Sequence, residues 1–318
     1  DPREGFFLNG RSYPLRGVSR HQDWKGLGNA ITKEHHEADM ALIQEMGANT
    51  IRLAHYQHDQ YFYDLCDQYG MVVWAEIPYI SEHMPNGRAN TIGQAKELVS
   101  LADEKGKLLC SAPDTFLGAA VQTARYLVES GVIGTVTSCV AVLQRDARLL
   151  AEKFPYTSRP GGGIGIDVGI YYTTAMVNIL GEVKEVCGMS GVCMPEQSHY
   201  FVKNGNFGEA YTQESETYLT GSMQFRNGCV GTLHFNSRSI RTEKPYVAFY
   251  GTEGILFLED PNFFGGDVKV ILKGRTEPVV FPHTHGYDGD DRGLGVAEMA
   301  WALQKGRVPR TRADMALH

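Results

Sequence analysis

The hydrophobic positions change period once along the chain. Up to Gly131, short apolar runs alternate with helical patterns. Arg16-Gly17-Val18-Ser19-Arg20 reads as a strand ending at His21, followed by a loop from Gln22 to Ile31. Thr32 is a candidate N-cap, with Glu34 and Glu37 near the positive helix end, and Ala38, Leu42, Ile43 and Met46 supply an apolar face up to Gly47. Thr50 to Ala54 is a second strand, ending at His55-Tyr56. Asp59 can cap a helix whose Phe62, Leu65, Cys66 and Tyr69 fall at i, i+3, i+4 and i+7, with Gly70 closing it. Met71 to Ala75 is a third apolar strand, ending at Glu76-Ile77-Pro78. Ala95, Leu98, Val99 and Ala102 resume the helical period, Lys107 to Ser111 is a further apolar strand, and Ala120, Ala124, Leu127 and Val128 line another helix. Uniformly apolar strands between helices imply a parallel sheet. Strands near Val18, Ile51, Val73 and Leu108 are expected to form a four-stranded parallel layer.

Beyond Gly131 the pattern becomes alternating. Tyr218 to Phe225 and Cys229 to Phe235 are joined by Arg226-Asn227-Gly228, and Asn-Gly between alternating runs signals a hairpin. Val247 to Tyr250, Ile255 to Leu258 and Val268 to Leu272 add three more strands. The reading is therefore α/β followed by α+β: a partial parallel βα layer, then a mostly antiparallel sheet with helices on one face.

Composition narrows the function. The 318 residues carry 30 Lys plus Arg against 37 Asp plus Glu, and this net charge of −7 argues against a nucleic-acid or anionic-membrane binder. No apolar run approaches a membrane span and no signal peptide opens the chain; Asp1-Pro2-Arg3-Glu4 reads as an interior stretch. The six cysteines lack Cys-x-x-Cys spacing and sit mostly in apolar stretches. Buried free thiols in a cytoplasmic protein are expected, without metal or disulfides.

In parallel α/β folds function gathers beyond the C-terminal strand ends. His21, Arg52, His55 and Glu76 lie there. Two readings stand side by side: these residues bind hydroxyls or a carboxylate, or Arg52 pairs structurally with Glu76 while the histidines bond to backbone. The stretches Gly17–Trp24, Ala48–Tyr56 and Asp64–Gly70 resemble the start of the catalytic barrel of glycoside hydrolase family 2, of the β-galactosidase type, over about residues 1 to 95. The resemblance implies that His21, Arg52 and His55 line a sugar pocket. It stops before either catalytic carboxylate of that family, and Glu76 and Glu82 cannot be given those roles by position. Retaining hydrolysis needs two carboxyls ~5 Å apart, so this half looks catalytically empty.

The densest glycine run is Gly161-Gly162-Gly163, followed by Asp167, Tyr171 and Thr174. If a helix begins near Asp167, these three share a face, and a carboxylate beside a phenol can hydrogen-bond a polyol and move a proton. The alternative makes Asp167 an N-cap and Tyr171 a core residue. Three adjacent glycines favour the site, because packing alone rarely requires them. This run, with Cys110–Thr115 and Asp291–Met299, resembles the Gfo/Idh/MocA oxidoreductases, which use NAD or NADP on sugars and polyols, from about Lys96 to His318. The resemblance implies Asp167 and Tyr171 as catalytic residues, Gly162, Gly163 and Thr174 at the substrate, and Ala112 and Pro113 at the cofactor. Family members typically carry His where Tyr171 stands. Their dinucleotide-binding half is mostly absent here, and Gly26-Leu27-Gly28 lacks the third glycine and sits deep in a loop.

The expected organisation is therefore a chimera: residues 1–95 barrel-like, 96–134 the end of a dinucleotide-binding domain, and 135–318 a substrate and dimerisation domain that makes a homodimer plausible. The expected function is an impaired sugar or polyol oxidoreductase. The alternatives are a glycoside hydrolase fragment and a non-catalytic remnant.

Overall fold

The computed structural model describes residues 7–8, 10–76, 87–200, 205–239 and 245–318. Ile77, Pro78 and Glu82 of the sequence reading lie outside them. The chain divides into two compact units, Asp1–Lys107 and Leu108–His318.

In the first unit, β1 (Phe7–Leu8) and β2 (Arg11–Ser12) form a small antiparallel pair. The parallel sheet has the order β3 (Gly17–Arg20), β4 (Thr50–Leu53), β5 (Val72–Ala75). Helices α1 (Lys33–Glu45), α2 (Gln60–Gln68) and α3 (Gly87–Glu104) belong to the same unit. Asp59 caps α2 as read from the sequence, its carboxylate accepting from the Tyr61 N–H at 2.8 Å. The core gathers Met40, Ile43, Ile51, Leu53, Phe62, Leu65 and Cys66.

Two expectations fail in this unit. Helix α1 buries His36, Met40 and Ile43, so that of the face read from the sequence only Ile43 is inside, and Leu42 and Met46 are 57% and 72% exposed. The reason is polar: His36 turns inward to meet the buried Arg20, Nη2 to Nδ1 at 3.1 Å, and the helix rotates with it. The fourth parallel strand is also absent. The stretch around Leu108 pairs with the C-terminal segment of its own unit, through a Cys110–Arg312 bridge and a Ser111 N–H to Thr311 carbonyl bond of 2.9 Å.

In the second unit an eight-stranded sheet runs β15 (Val279–Phe281), β14 (Val268–Leu272), β13 (Gly254–Glu259), β12 (Tyr246–Gly251), β6 (Val136–Gln144), β11 (Val230–Asn236), β10 (Tyr218–Phe225), β7 (Val183–Gly191). Only β6 and β11 pair in parallel, Ser138 opposite Val230, and all other neighbours are antiparallel. A short pair, β8 (Glu196–Ser198) and β9 (Ala210–Thr212), stands apart from it. Helices α4 (Ala119–Glu129), α5 (Arg148–Lys153), α6 (Ile164–Asp167), α7 (Gly169–Leu180), α8 (Leu294–Lys305) and α9 (Ala313–Leu317) complete the unit. The Asn227-Gly228 turn joins β10 to β11 as the sequence implies, with the Asn227 side chain accepting from the Cys229 N–H at 2.9 Å.

Alternation decides which face of this sheet is covered. Leu233 and Phe235 of β11, Met223 and Phe225 of β10 and Cys139, Ala141 and Leu143 of β6 turn inward. They form one core with Tyr172 and Met176 of α7 and Val121 and Leu127 of α4. Each large apolar side chain so buried contributes about 1.5–3 kcal/mol. The cysteine expectation needs correction: Cys66, Cys139 and Cys229 are buried and Cys110 is partly so, but Cys187 is exposed on the edge strand β7 and Cys193 is exposed just beyond its end. All six are free thiols. Among the described residues no helix is long and apolar enough to cross a membrane.

Candidate functional site

The strand ends of the first unit bring together the four residues singled out there. Glu76 Oε1 accepts from Arg52 Nε at 2.7 Å, and Oε2 accepts from the His55 N–H at 2.9 Å and lies 3.0 Å from His55 Nδ1. His55 takes a left-handed φ of 73°, rare for a residue with a Cβ. Its N–H bond to Glu76 helps to hold that conformation. The His21 ring meets His55 edge-on, centroids 5.2 Å apart. Burial opposes the ionisation of Glu76, but the Arg52 and His55 hydrogen bonds outweigh it and hold its carboxyl below the usual carboxylate range. Of the structural reading, the Arg52–Glu76 ion pair is present, but His55 leans on the Glu76 carboxylate rather than on backbone and His21 packs on the His55 ring.

Sequence reasoning missed what stands behind the cluster. Arg20, 6% exposed, donates to Asp39 Oδ2 at 2.7 and 2.9 Å and reaches Nδ1 of His58 at 3.0 Å and of His36 at 3.1 Å. Its guanidinium lies 3.8 Å over the Phe62 ring. A guanidinium has no lone pair to give, so both histidines accept and stay neutral. Burial, with the Arg20 charge adding to it, pushes His58 down to about 4 against the Ala54 carbonyl contact. The sequence signal was an Arg at the end of a strand in a region read as apolar.

In the second unit the glycine run has a packing explanation. A Cβ on Gly162 would stand 2.0 Å from the Tyr156 carbonyl oxygen, and one on Gly163 would stand 2.0 Å from the Glu216 carboxyl carbon. Both glycines are buried. The close approach inferred from them is made by the chain itself.

The single helix expected through Asp167 and Tyr171 is broken. Asp167 ends α6, whose N-cap is Gly163, and Val168 separates it from α7 with φ −126°. The Tyr171 N–H donates to the Val168 carbonyl at 3.1 Å rather than to Asp167. The Phe235 ring presses against Gly169, where a Cβ would lie 2.7 Å from the ring, and fixes the start of α7 on the sheet. Asp167 is thus neither N-cap nor one face with Tyr171 and Thr174. Its carboxylate is held by donors instead: Arg145 Nη2 at 2.9 Å to Oδ2 and the Tyr156 hydroxyl at 3.0 Å to Oδ1. Burial, with the adjacent Asp167 charge and hydrogen bond, pushes the Tyr156 phenol up to about 12, so it remains a donor. Tyr171 is half-buried against the core and meets Arg292, whose Nη1 lies 3.5 Å from the phenol oxygen. Arg145 and Tyr156 carried no sequence signal. Arg292 did, since it sits in the Asp291–Met299 motif.

A cleft of about 490 Å³ opens beside α7. Ala112, Pro113 and Thr174 of the sequence reading line it, with Thr173, Lys184 and Met223, whereas Asp167, Tyr171, Gly162 and Gly163 do not. As for a dinucleotide, Gly26 and Gly28 lie in a turn closed by a Leu27 N–H to Trp24 carbonyl bond of 2.9 Å, well before α1. The first turn of α1 carries Glu34, which accepts from Thr32 Oγ1 at 2.5 Å. A carboxylate at that helix end opposes a pyrophosphate. These residues do not fit a phosphate cradle.

Comparison with known proteins divides the chain in the same way. Residues 3–112 match the glycosyl hydrolases family 2 TIM barrel domain, and residues 121–257 match the GFO/IDH/MocA C-terminal domain. A β-glucuronidase of Bacteroides fragilis is 56% identical over 90 residues, 28% of this chain and 12% of that protein. A β-galactosidase of Thermoanaerobacterium thermosulfurigenes is 38% identical over 76 residues, 24% of this chain and 11% of that protein. The chain thus spans about an eighth or less of the length of these curated relatives. Among solved structures, levoglucosan dehydrogenase in complex with NADH and L-sorbose gives a TM-score of 0.65 at 14% identity, covering 99% of this chain and 87% of that one. The aldose-aldose oxidoreductase of Caulobacter crescentus complexed with glycerol gives 0.62 at 16% identity, covering 96% and 86%. At such identities these matches show the fold.

Proposed function

We propose, from a chain that joins a glycoside hydrolase family 2 segment to a GFO/IDH/MocA C-terminal segment, that it handles a sugar or polyol through its second unit and is an NAD(P)-dependent oxidoreductase impaired by the replacement of its cofactor half. The observation that carries this reading is the Asp167 carboxylate, fixed from both sides by Arg145 and Tyr156 in the segment that resembles the substrate motif. A carboxylate so anchored keeps its remaining lone pairs for ligand hydroxyls. By resemblance, Ala112 and Pro113 would meet the nicotinamide. Among the described residues, neither the Gly26–Gly28 turn nor the start of α1 offers its pyrophosphate a cradle, so no hydride step is assigned.

Whole-protein activity, a cytoplasmic location and a homodimer through the sheet belong to the same reading. Six free thiols support the location. The register supports the dimer by placing Thr220, His234, Val142 and Tyr246 in one row on the face opposite the core. Calorimetric titration of the full chain with a neutral polyol panel tests the site. Saturable binding that weakens at least about tenfold in Asp167→Asn supports it, and binding indifferent to that substitution overturns it.

A second reading, a glycoside hydrolase fragment that keeps part of a sugar pocket, is favoured by the assembled His21, Arg52, His55 and Glu76. Galactoside or glucuronide binding abolished by Arg52→Ala, with no response to Asp167→Asn, would place the ligand there instead.

A further inference from the structure

Beyond the ends of β6 and β11 the two chain segments stay side by side. The Arg145 N–H donates to the Asn236 carbonyl and the Ala147 N–H to the Ser237 carbonyl, both at 2.9 Å, and Asp146 forms a bridge with Arg238. This gathers three arginines, Arg145, Arg148 and Arg238. Arg145 is paired with Asp167 at 2.9 Å. Arg148 is paired with Asp146 and lies 4.5 Å over the Tyr200 ring. Arg238 differs: its Nη2 donates to a neutral amide, Gln213 Oε1, at 2.6 Å, and among the described residues no carboxylate pairs with it. Among the described residues these three arginines have two paired aspartates, and Asp146, paired with Arg148, also feels the Arg238 charge.

The same corner holds unsatisfied donors. Three buried side-chain donors here have no hydrogen-bond partner among the described residues: Arg145 Nε, Arg238 Nε and the Tyr211 hydroxyl. Tyr211 sits on β9, two residues before the Gln213 that receives Arg238. A buried donor left unmade costs about 1–3 kcal/mol, and native structures retain few of them without a reason. A neutral polyol hydroxyl would satisfy one such donor and leave the charge. An oxyanion satisfies several donors and the charge together.

We infer that this corner binds the anionic end of the ligand, so that the substrate class is an acidic sugar or polyol bearing a carboxylate or phosphate. The inference rests on the reading of Asp167 as the hydroxyl site and deepens it. Arg145 links the two, since its Nη2 holds Asp167 while its Nε is one of the unsatisfied donors. Arg238 supplies the charge and Tyr211 a further donor.

The test is calorimetric titration of the full chain with D-sorbitol, D-gluconate and D-sorbitol 6-phosphate at low ionic strength. At least one anion should bind about tenfold or more tightly than sorbitol, and added salt should narrow the difference. Gluconate as the tighter ligand assigns a carboxylate; the phosphate ester as the tighter ligand assigns a phosphate. Arg238→Gln should bring the ratio of anion to sorbitol affinity to within about twofold, and Arg238→Lys should restore part of it. If Arg238→Gln fails to fold, Tyr211→Phe and the wild-type ratio decide. Sorbitol binding as tightly as both anions overturns the inference and leaves the polyol reading standing. Absence of binding by all three probes overturns both.

Discussion

Replacing Glu298 by Gln should cost the second unit about 3 kcal/mol at neutral pH and much less in acid. Glu298 is fully buried on α8, yet its carboxylate accepts from Arg307 Nη1 and Nη2 at 2.6 and 2.9 Å, from the Arg310 N–H at 3.0 Å and from Arg310 Nη2 at 3.1 Å. Burial alone would raise its pKa, but these hydrogen bonds overcome it and bring the carboxyl from 4.5 down to about 2. A folded-state pKa below the unfolded one means stability that is complete above about pH 4.5 and lost as the pH falls toward 2. Linkage converts that difference into about 3 kcal/mol at pH 7 and roughly 1 kcal/mol at pH 3. Gln keeps the shape but not the charge. Urea unfolding of the wild type and of Glu298→Gln at the two pH values reads the gap directly. A gap below ~0.5 kcal/mol at pH 7, or one that does not shrink at pH 3, refutes the reasoning.

Four further outcomes follow from the same geometry. His58, neutral in the fold and held near 4, should make the first unit lose stability as the pH falls from 6.5 toward 4, and His58→Gln should flatten that loss in pH-dependent thermal melts. Gly162→Ala should lower stability by about 2–4 kcal/mol, because the new Cβ meets the Tyr156 carbonyl at 2.0 Å; a Tm unchanged in calorimetry counts against the placement. A chromogenic β-galactoside should show no turnover, and a rate that vanished on Glu76→Gln would contradict the expectation that the first unit is catalytically empty. Tyr156→Phe should weaken polyol binding in titration while the circular dichroism spectrum stays unchanged, since it removes one of the two donors that fix Asp167.

The strands named from the sequence were legible because period carries that information directly, whereas β6 and β7 went unread. Alternation marks β10, β11 and β13, and a continuous apolar run marks β5. What escaped was set by pairs distant in sequence. The rotation of α1 follows from the Arg20–His36 contact, and the break before α7 follows from the Phe235 ring at Gly169. Period cannot foresee either. The glycine run announced close approach correctly, but sequence could not say that Tyr156 and Glu216 approach rather than a ligand. The strand-end cluster of His21, Arg52, His55 and Glu76 was legible because parallel topology puts strand ends together. Arg145 and Tyr156, which hold Asp167, come from β6's end and a loop, and only the folded chain shows them converging.

The central claim is a sugar or polyol unit that has lost a working cofactor half. It is tested most directly by following nicotinamide reduction with NAD and with NADP across a panel of neutral and acidic polyols. The expected result is no rate above background for the wild-type chain. A robust rate that survives Asp167→Asn combined with Tyr171→Phe would contradict both the site and the impairment.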